Sequence, residues 1–351
     1  MKNGKFVTLG IETSCDETAA AVTADGRTVL SDIISSQIDV HEAFGGVVPE
    51  IASRHHLTQI NAVIGAALSE AEVTWRDIDL VGCTCGPGLV GAVLIGLSTA
   101  KAVAYAASKP FVGVHHIKGH VCASYLNTLN PDGLTELHAI RPPHLALVVS
   151  GGHTDLIDVR SYTEYKLLGS TRDDAAGEAF DKVARALGLG YPGGPKVDAI
   201  AAEGDPESVK FKRVYLEEGS LDFSFSGIKT GVLNYMNTER QAGRDVNACD
   251  VAAGFEASVV DVVAAKARAA LRRTGYGKLT MGGGVAANSM LRARMEAVCA
   301  EESAELYVPP PVYCTDNAAM IACAAYYQYR ADGPSPLGLD AYATLPLNEK
   351  F

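Results

Sequence analysis

Two histidines four residues apart, His116 and His120, are the side chains of this sequence best suited to chemistry. They follow the apolar run 110–114, which predicts a strand, and a helix beginning there would place both imidazoles on one face. This is a usual way of offering two nitrogen ligands to a metal ion, although the same spacing also occurs in ordinary core positions. Ile117 stands where a zinc peptidase of the His-Glu-x-x-His type carries its general base. The spacing therefore permits a metal site and argues against peptide hydrolysis.

A carboxylate far along the chain is a candidate third ligand. Asp316 lies just before the run of small residues 318–327, which predicts a helix. An aspartate in this position is either a cap of the helix N-terminus or a metal ligand. Both interpretations stay open at this point.

The elements around these residues follow a repeated pattern of strand, polar turn and returning strand. The pattern covers 6–23 and again 144–159, and its second turn contains Ser150, Gly151 and Gly152. Such turns present backbone N–H groups and hydroxyls that can bind phosphate oxygens, although two ordinary hairpins would look the same. The repetition predicts a duplicated, two-lobed α/β protein with a linker near 127–143.

Further glycines lie where backbone could approach a flat ligand. A predicted strand at 278–281 enters three glycines, 282–284, and Asn288 precedes the next helix. This is neither a dinucleotide fingerprint nor a P-loop, so a nucleotide would be bound by another fold. Asp181 lies within a predicted helix over 173–187, where an acid is commonly solvated or paired with a neighbouring Lys182 or Arg185.

Length and composition limit the number of domains and the classes of function that the chain can have. The 351 residues suggest two domains or one two-lobed domain, and a net charge of −11 lowers the expectation that the chain binds nucleic acid alone. The eight cysteines form no Cys-x-x-Cys pair and no signal sequence opens the chain, which favours a reducing cytoplasm. The uncharged run 80–100 is interrupted by glycine and proline, which predicts a buried strand and helix and no membrane span.

Together these segments resemble the bacterial TsaD family of tRNA adenosine threonylcarbamoyltransferases, once called glycoproteases. The resemblance runs in order over nearly the whole chain. It rests on the segments 9–18, 45–55, 86–91, 116–120, 150–154, 173–182, 191–195, 222–230, 283–288 and 314–317.

The resemblance implies an actin-like, Hsp70-like ATPase fold, with duplicated α/β lobes around a central cleft. The N-terminal lobe would cover 1–130 and be completed by 317–351, and the C-terminal lobe would cover 131–316. His116, His120 and Asp316 would hold one divalent metal, Fe(2+) in the usual description of the family, with Zn(2+) as an alternative in vitro. The residues that would bind the substrate nucleotide are Val148, Val149, Ser150, Gly151, Gly152, Asp181, Gly194, Asp198 and Asn288.

The implied reaction moves the threonylcarbamoyl group of threonylcarbamoyl-AMP to the exocyclic amine of adenosine 37 in ANN-decoding tRNAs and releases AMP. The implied partners are a TsaB-type paralogue and a TsaE-type ATPase. No Ser or Cys nucleophile is needed because the donor is already activated, and no general base is evident. Two other functions are kept as alternatives, a metalloprotease and a non-catalytic nucleotide-binding scaffold.

Overall fold

The computed structural model describes residues 4–130, 133–135 and 140–349 of the chain. The chain folds into two compact units. Unit 1 comprises Met1–Pro142, Val159–Lys166 and Thr315–Phe351, and unit 2 comprises Pro143–Asp158 and Leu167–Cys314.

This division differs from the implied lobes at both boundaries. Unit 1 includes Asp316 and the described residues 133–135, 140–142 and 159–166, all of which the family resemblance implied for the C-terminal lobe. The expected boundary at residue 131 and parts of the predicted linker, 131–132 and 136–139, lie outside the described residues. The described part of the linker contains two short paired strands, β6 (Thr128–Asn130) and β7 (Gly133–Thr135).

Unit 1 is built on a five-stranded sheet with the order β3-β2-β1-β4-β5. Its strands are β1 (Val7–Glu12), β2 (Glu17–Ala24), β3 (Thr28–Ser36), β4 (Leu80–Gly86) and β5 (Phe111–His115). Its helices are α1 (Ile38–Glu42), α2 (Pro49–Glu70), α3 (Val90–Ala107), α4 (His116–Cys122) and α11 (Ala318–Asp332), with a 3-10 turn at Ala123–Tyr125.

Side chains alternate across the strands of this sheet, which separates its two faces. Leu9 and Ile11 join the core cluster that includes α2 and α3 residues, whereas Gly10 between them faces α11. Gly10 pairs with Gly82 of β4. A Cβ on either glycine would lie within 2.3 Å of an α11 atom, so the paired glycines allow α11 to lie directly on the sheet.

Helix α3 is long and apolar enough to cross a membrane by length and composition, the one such helix in the described ranges. It packs against β4 and α2. Six of its residues are buried, among them Ala92, Leu97 and Ala100. Core helices of soluble proteins commonly have this composition, and the structure agrees with the predicted buried strand and helix over 80–100.

Unit 2 repeats the strand order with β10-β9-β8-β11-β12. The strands of this sheet are β8 (His144–Val149), β9 (Thr154–Val159), β10 (Tyr165–Ser170), β11 (Lys278–Gly282) and β12 (Glu305–Tyr307). The last residue of β9 and the first two of β10 fall in the segment that is grouped with unit 1. The helices of unit 2 are α5 (Ala176–Leu187), α6 (Gly193–Ala201), α7 (Ser226–Gln241), α8 (Ala248–Thr274), α9 (Ser289–Glu301) and α10 (Pro311–Cys314), with a 3-10 turn at Gly284–Ala287.

The hydrophobic core of unit 2 surrounds α8. This 27-residue helix is buried along most of its length, and Phe255 packs edge to face on Phe180 of α5, with ring centroids 5.0 Å apart. Helix α5 begins at Ala176, three residues later than predicted. The reason is that Asp173 accepts hydrogen bonds from Phe225 N and the Ser226 hydroxyl, which holds it outside the helix.

The predicted duplication is confirmed. Each unit has a hairpin of adjacent strands at one side of its sheet and a parallel pair of strands at the other, and the order of strands along the chain is the same in both. The sequence pattern of two similar hairpins therefore identified the first two strands of each repeat.

Candidate metal and nucleotide sites

The structure brings His116, His120 and Asp316, here called the metal-ligand triad, together in unit 1. Asp316 Oδ1 lies 3.4 Å from His116 Nε2 and 3.2 Å from His120 Nε2. One ligand atom from each residue lies within 4.8 Å of the other two. The two imidazoles come from α4 as the spacing predicts, and their centroids are 4.7 Å apart.

Local structure fixes each member of the triad. His115 caps α4, its Nδ1 accepting from Ile117 N, so the helix begins at His116. Gly119 faces α11, where a Cβ would lie 2.7 Å from Ile321. The absent side chain lets α4 approach α11, which Asp316 precedes.

Asp316 is not the cap of α11. That cap is Asn317, whose Oδ1 accepts from Met320 N at 2.9 Å. The choice left open by the sequence is therefore decided by geometry, because the adjacent asparagine satisfies the helix N-terminus while the aspartate faces the two histidines.

Glu12 holds the second nitrogen of His116. Its Oε2 lies 3.1 Å from His116 Nδ1, and Ser14 Oγ lies 3.2 Å from the same nitrogen. Glu12 is fully buried at the end of β1 and also accepts from Thr84 of β4. A carboxylate on the outer nitrogen of a histidine orients the ring and raises its basicity as a ligand.

His116 and Asp316 each stabilise the charged form of the other. Burial works against a charged imidazole, but the carboxylates of Asp316 and Glu12 raise the pKa of His116 well above its usual range. Burial likewise works against the Asp316 carboxylate, yet His116 and His120 lower its pKa far below the usual range.

The triad fits a divalent metal ion. His120 is 1% exposed, and within the described chain neither of its ring nitrogens makes a directed hydrogen bond, although Nε2 lies near Asp316. Buried polar atoms are normally satisfied, so this arrangement indicates a ligand between them. Two imidazoles and one carboxylate are a donor set that suits first-row metals and leaves further coordination positions.

The residues expected to bind nucleotide lie in unit 2, mostly at the ends of its elements. Val148 and Val149 end β8, and Ser150, Gly151 and Gly152 form the turn that follows. His153 N donates to Ser150 Oγ at 3.1 Å, and Gly177 N of α5 donates to Ser150 O. The turn is thereby joined to the start of α5.

The remaining members stand on α5, α6 and the start of α9. Asp181 Oδ1 accepts from Gly193 N at 2.7 Å, which ties α5 to the first residue of α6. Asp198 of α6 accepts from Ser289 Oγ at 2.7 Å and from the Asn288 amide at 3.3 Å. Asp198 and Asn288 are therefore joined directly, whereas Asp181 contacts the first residue of the helix that carries Asp198.

Open space at the glycines is suited to a ligand. A Cβ added at Gly151, Gly152 or Gly194 would meet nothing within 4 Å. Gly283 is different, since its φ is +91° and a Cβ would lie 2.3 Å from Val149 O. Three glycines thus leave room beside the backbone, and the fourth allows the ends of β11 and β8 to approach closely.

Sequence reasoning assigned no role to two buried carboxylates, Glu12 and Glu256. Glu256 lies in α8, is 1% exposed and accepts from the Asn288 amide. A lone acid in the apolar run 251–260 was the available signal for Glu256. For Glu12 the signal was an acid directly after a buried strand.

Comparison with solved structures shows the fold class. The chain matches full-length HypF with a TM-score of 0.62 and 14% identity over 94% of this chain and 56% of that one. It matches component A of the (R)-2-hydroxyglutaryl-CoA dehydratase of Acidaminococcus fermentans with a TM-score of 0.53 and 17% identity over 93% and 99%. With its repeated sheets, the chain therefore has an α/β fold of the actin-like, Hsp70-like class.

Sequence comparison shows the family. The profile of the family described as "TsaD: tRNA N6-adenosine threonylcarbamoyltransferase" matches residues 28–323. A relative from Clostridium botulinum with the same enzyme name is 52% identical over 342 residues, which are 97% of this chain and 98% of that protein. The chain belongs to the TsaD family, and the resemblance drawn from its motifs is confirmed.

Proposed function

We propose that this chain transfers the threonylcarbamoyl group from threonylcarbamoyl-AMP to the exocyclic amine of adenosine 37 in ANN-decoding tRNAs. The amine nitrogen bonds to the carbamoyl carbon, the bond from that carbon to the phosphate oxygen breaks, AMP leaves with the electron pair, and the nitrogen loses a proton. The observation that carries the proposal is the convergence of His116, His120 and Asp316 in a chain of this family.

The metal-ligand triad would hold one divalent ion, which we propose is Fe(2+), with Zn(2+) able to replace it in vitro. Such an ion supplies Lewis-acid stabilisation of negative charge on phosphate or carbonyl oxygens. His116 and His120 would bind through Nε2, because Nδ1 of His116 is engaged with Glu12. Glu12 would orient the His116 ring and raise its basicity as a ligand.

In unit 2, we propose that Val148, Val149 and the turn of Ser150, Gly151 and Gly152 bind the phosphate and acyl portion of the donor. Backbone N–H groups of a glycine turn can approach phosphate oxygens without steric hindrance.

The other nucleotide contacts are proposed for Asp181, Gly194, Asp198 and Asn288. Asp181 would bond ribose hydroxyls, and Gly194 would pack on the nucleoside with Asp198 beside it. Asn288 would reach the adenosine portion of the donor. Support comes from the hydrogen bond between Asn288 and Asp198, from the bond of Asp181 to Gly193 beside Gly194, and from the open space at Gly194.

Two proteins are proposed as partners, a TsaB-type paralogue and a TsaE-type ATPase, all acting in the cytoplasm. Leu57 of α2 and Leu94 of α3 are 64% and 47% exposed, which offers apolar area to a partner. A net charge of −11 predicts weak tRNA binding by the isolated chain. Tight, salt-insensitive binding in a filter assay would contradict this expectation.

The test is reconstitution. The metal-loaded chain, with and without both partners, is given threonylcarbamoyl-AMP and an unmodified ANN-decoding tRNA, and the digested tRNA is analysed for threonylcarbamoyladenosine. The proposal expects the modified nucleoside when the chain and its partners are present. It fails if the complete mixture, with metal content confirmed, yields none.

Peptide hydrolysis is the alternative implied by the former family name. Ile117 after the first histidine is apolar and 2% exposed, so no carboxylate is available at the position where a peptidase holds its base. Cleavage of a protein substrate that disappears in His116→Ala would favour this alternative.

A further inference from the structure

Asn288 is held by hydrogen bonds on both sides of its amide. Its Oδ1 accepts from Leu291 N at 2.8 Å, which caps α9. Its Nδ2 donates to Glu256 Oε1 and, at 3.3 Å, to Asp198 Oδ1. Because only a carbonyl oxygen can meet the N–H of Leu291, the orientation of the amide follows from its partners.

Glu256 is the buried member of this arrangement. It lies in the first half of α8 and is 1% exposed, whereas Asp198 lies half-buried on α6. Burial raises the pKa of Glu256 to about 7; the Asn288 amide works against this shift and the Asp198 carboxylate adds to it. In either protonation state an oxygen of Glu256 remains able to accept from Asn288.

The Asn288 amide has one kind of hydrogen-bonding position left for a ligand. An asparagine side chain offers two N–H donors and two lone pairs on its oxygen. Glu256 and Asp198 take both donors, and Leu291 N takes one lone pair. What remains for a ligand is an acceptor, on a side chain that is 8% exposed.

We propose that Glu256 is a positioning residue that, with Asp198, keeps the Asn288 amide turned so that it presents only an acceptor, and that this selects a 6-aminopurine over a 6-oxopurine. The exocyclic amine of adenine can donate to the remaining lone pair, whereas the oxygen of a 6-oxopurine meets another acceptor. A flipped amide could donate to that oxygen, but it would place its N–H groups against Leu291 N and leave Glu256 without its donor.

This inference rests on the proposed nucleotide site in unit 2. The test measures the affinities of AMP and IMP for the full chain by calorimetry, because the two ligands differ only at the 6-position and its neighbouring ring nitrogen. Glu256→Met, which has a similar volume and no acceptor, frees one N–H of Asn288. The AMP-to-IMP preference is expected to fall about fivefold, the value of one hydrogen bond between neutral groups.

Two further variants make the test independent of a folding defect. Glu256→Gln keeps an acceptor for Asn288 and is expected to keep the preference. Asn288→Ser still caps α9 but has no amide, and it is expected to lose the preference. A ratio of affinities is used because general destabilisation weakens both ligands alike.

The outcomes are distinct. A preference that falls in Glu256→Met and Asn288→Ser but survives in Glu256→Gln supports the inference. The inference is overturned if the wild type binds AMP and its preference for AMP over IMP is unchanged in Asn288→Ser or in a folded Glu256→Met. The proposed function is not affected by that result. Wild-type chain that binds neither nucleotide overturns the inference, and the reconstitution assay then decides the proposed function separately.

Discussion

The two units share a strand order and differ in how they make a site. In unit 1 the site consists of side chains, with His116, His120 and Asp316 converging and Glu12 behind them. In unit 2 it consists largely of backbone at glycine turns and helix starts, such as Gly151 and Gly194. The same strand order would therefore carry a compact metal-ligand cluster in one unit and the proposed nucleotide site in the other, which agrees with the rule that function depends on the site and not on the fold alone.

Glycines serve opposite purposes in the two sheets. Gly10 and Gly82 of unit 1 pair across neighbouring strands and allow α11 to pack on the sheet, far from any ligand role. Gly151 and Gly194 of unit 2 face open space. Sequence composition counts all of them alike, and only the surroundings of each one separate packing from binding.

The largest effect is expected from Asp316→Ala in unit 1. Loss of a direct ligand should reduce bound metal to background and lower transfer by more than about 100-fold, since even partners of ligands contribute 10- to 100-fold. Elemental analysis and nucleoside analysis measure the two quantities. Nucleotide binding by unit 2 should persist.

The matched control is Asp340→Ala, which removes an exposed carboxylate of the same unit. It should leave metal content and transfer as in the wild type. Full transfer by Asp316→Ala would show that the triad has no part in the chemistry. The scaffold alternative would instead be favoured if the wild type formed no product and Asp316→Ala left nucleotide binding unchanged.

Glu12→Gln tests the support behind the triad. The variant keeps the shape of the side chain but loses the negative charge next to His116 Nδ1, so metal affinity should fall between about 10- and 100-fold. Competition with a metal chelator measures this affinity. Thr84→Val, which removes only a hydroxyl that donates to Glu12, should have a smaller effect; equal losses in both variants would contradict a charge-based role.

Gly283→Ala tests the close approach of β11 and β8 in unit 2. The positive φ and the 2.3 Å approach to Val149 O require the backbone to move, which should cost about 2 kcal/mol of unfolding free energy. Urea unfolding measures the loss. Gly277→Ala is the control, because its Cβ would meet nothing within 4 Å, and a similar loss there would remove the steric explanation.

A pH-dependent effect on stability is expected from Asp155 of β9, because burial raises the pKa of its carboxyl to about 7. The unfolded carboxyl titrates near about 4. Folded chain therefore binds the proton more tightly, and the stability associated with it is present below about pH 4 and declines as the pH rises to about 7, by at most about 1.4 kcal/mol per unit. Asp155→Asn should flatten this part of the stability profile; parallel profiles for variant and wild type would contradict the burial argument.

The sequence predicted those features that depend on short spacing. His116 and His120 could be placed on one helix face because both lie in α4, and the paired hairpins predicted the duplicated fold. The prediction that Asp316 is the third ligand depended on the family resemblance, because sequence periodicity does not connect residues so distant in the chain.

The roles of Glu12 and Glu256 could not be predicted, for a related reason. Glu12 lies 104 residues from His116 in the chain, and Glu256 lies 32 residues from Asn288. Only the packing of strands and helices brings each pair together. The late start of α5 was missed because Asp173 is held by α7 residues rather than by its own helix. Tertiary interactions outweigh local propensity in all three cases.

The central claim is that the two sites, one in each unit, serve a single reaction. The direct measurement is threonylcarbamoyladenosine formation by wild type, Asp316→Ala and Gly194→Val, with bound metal and AMP affinity recorded for each protein. Gly194→Val fills open space without a clash within 4 Å of its Cβ. The account predicts that Asp316→Ala binds AMP without metal, that Gly194→Val binds metal with weakened AMP affinity, and that neither forms product at the wild-type rate. The claim would be contradicted if Asp316→Ala without bound metal, or Gly194→Val with weakened AMP affinity, formed product at the wild-type rate.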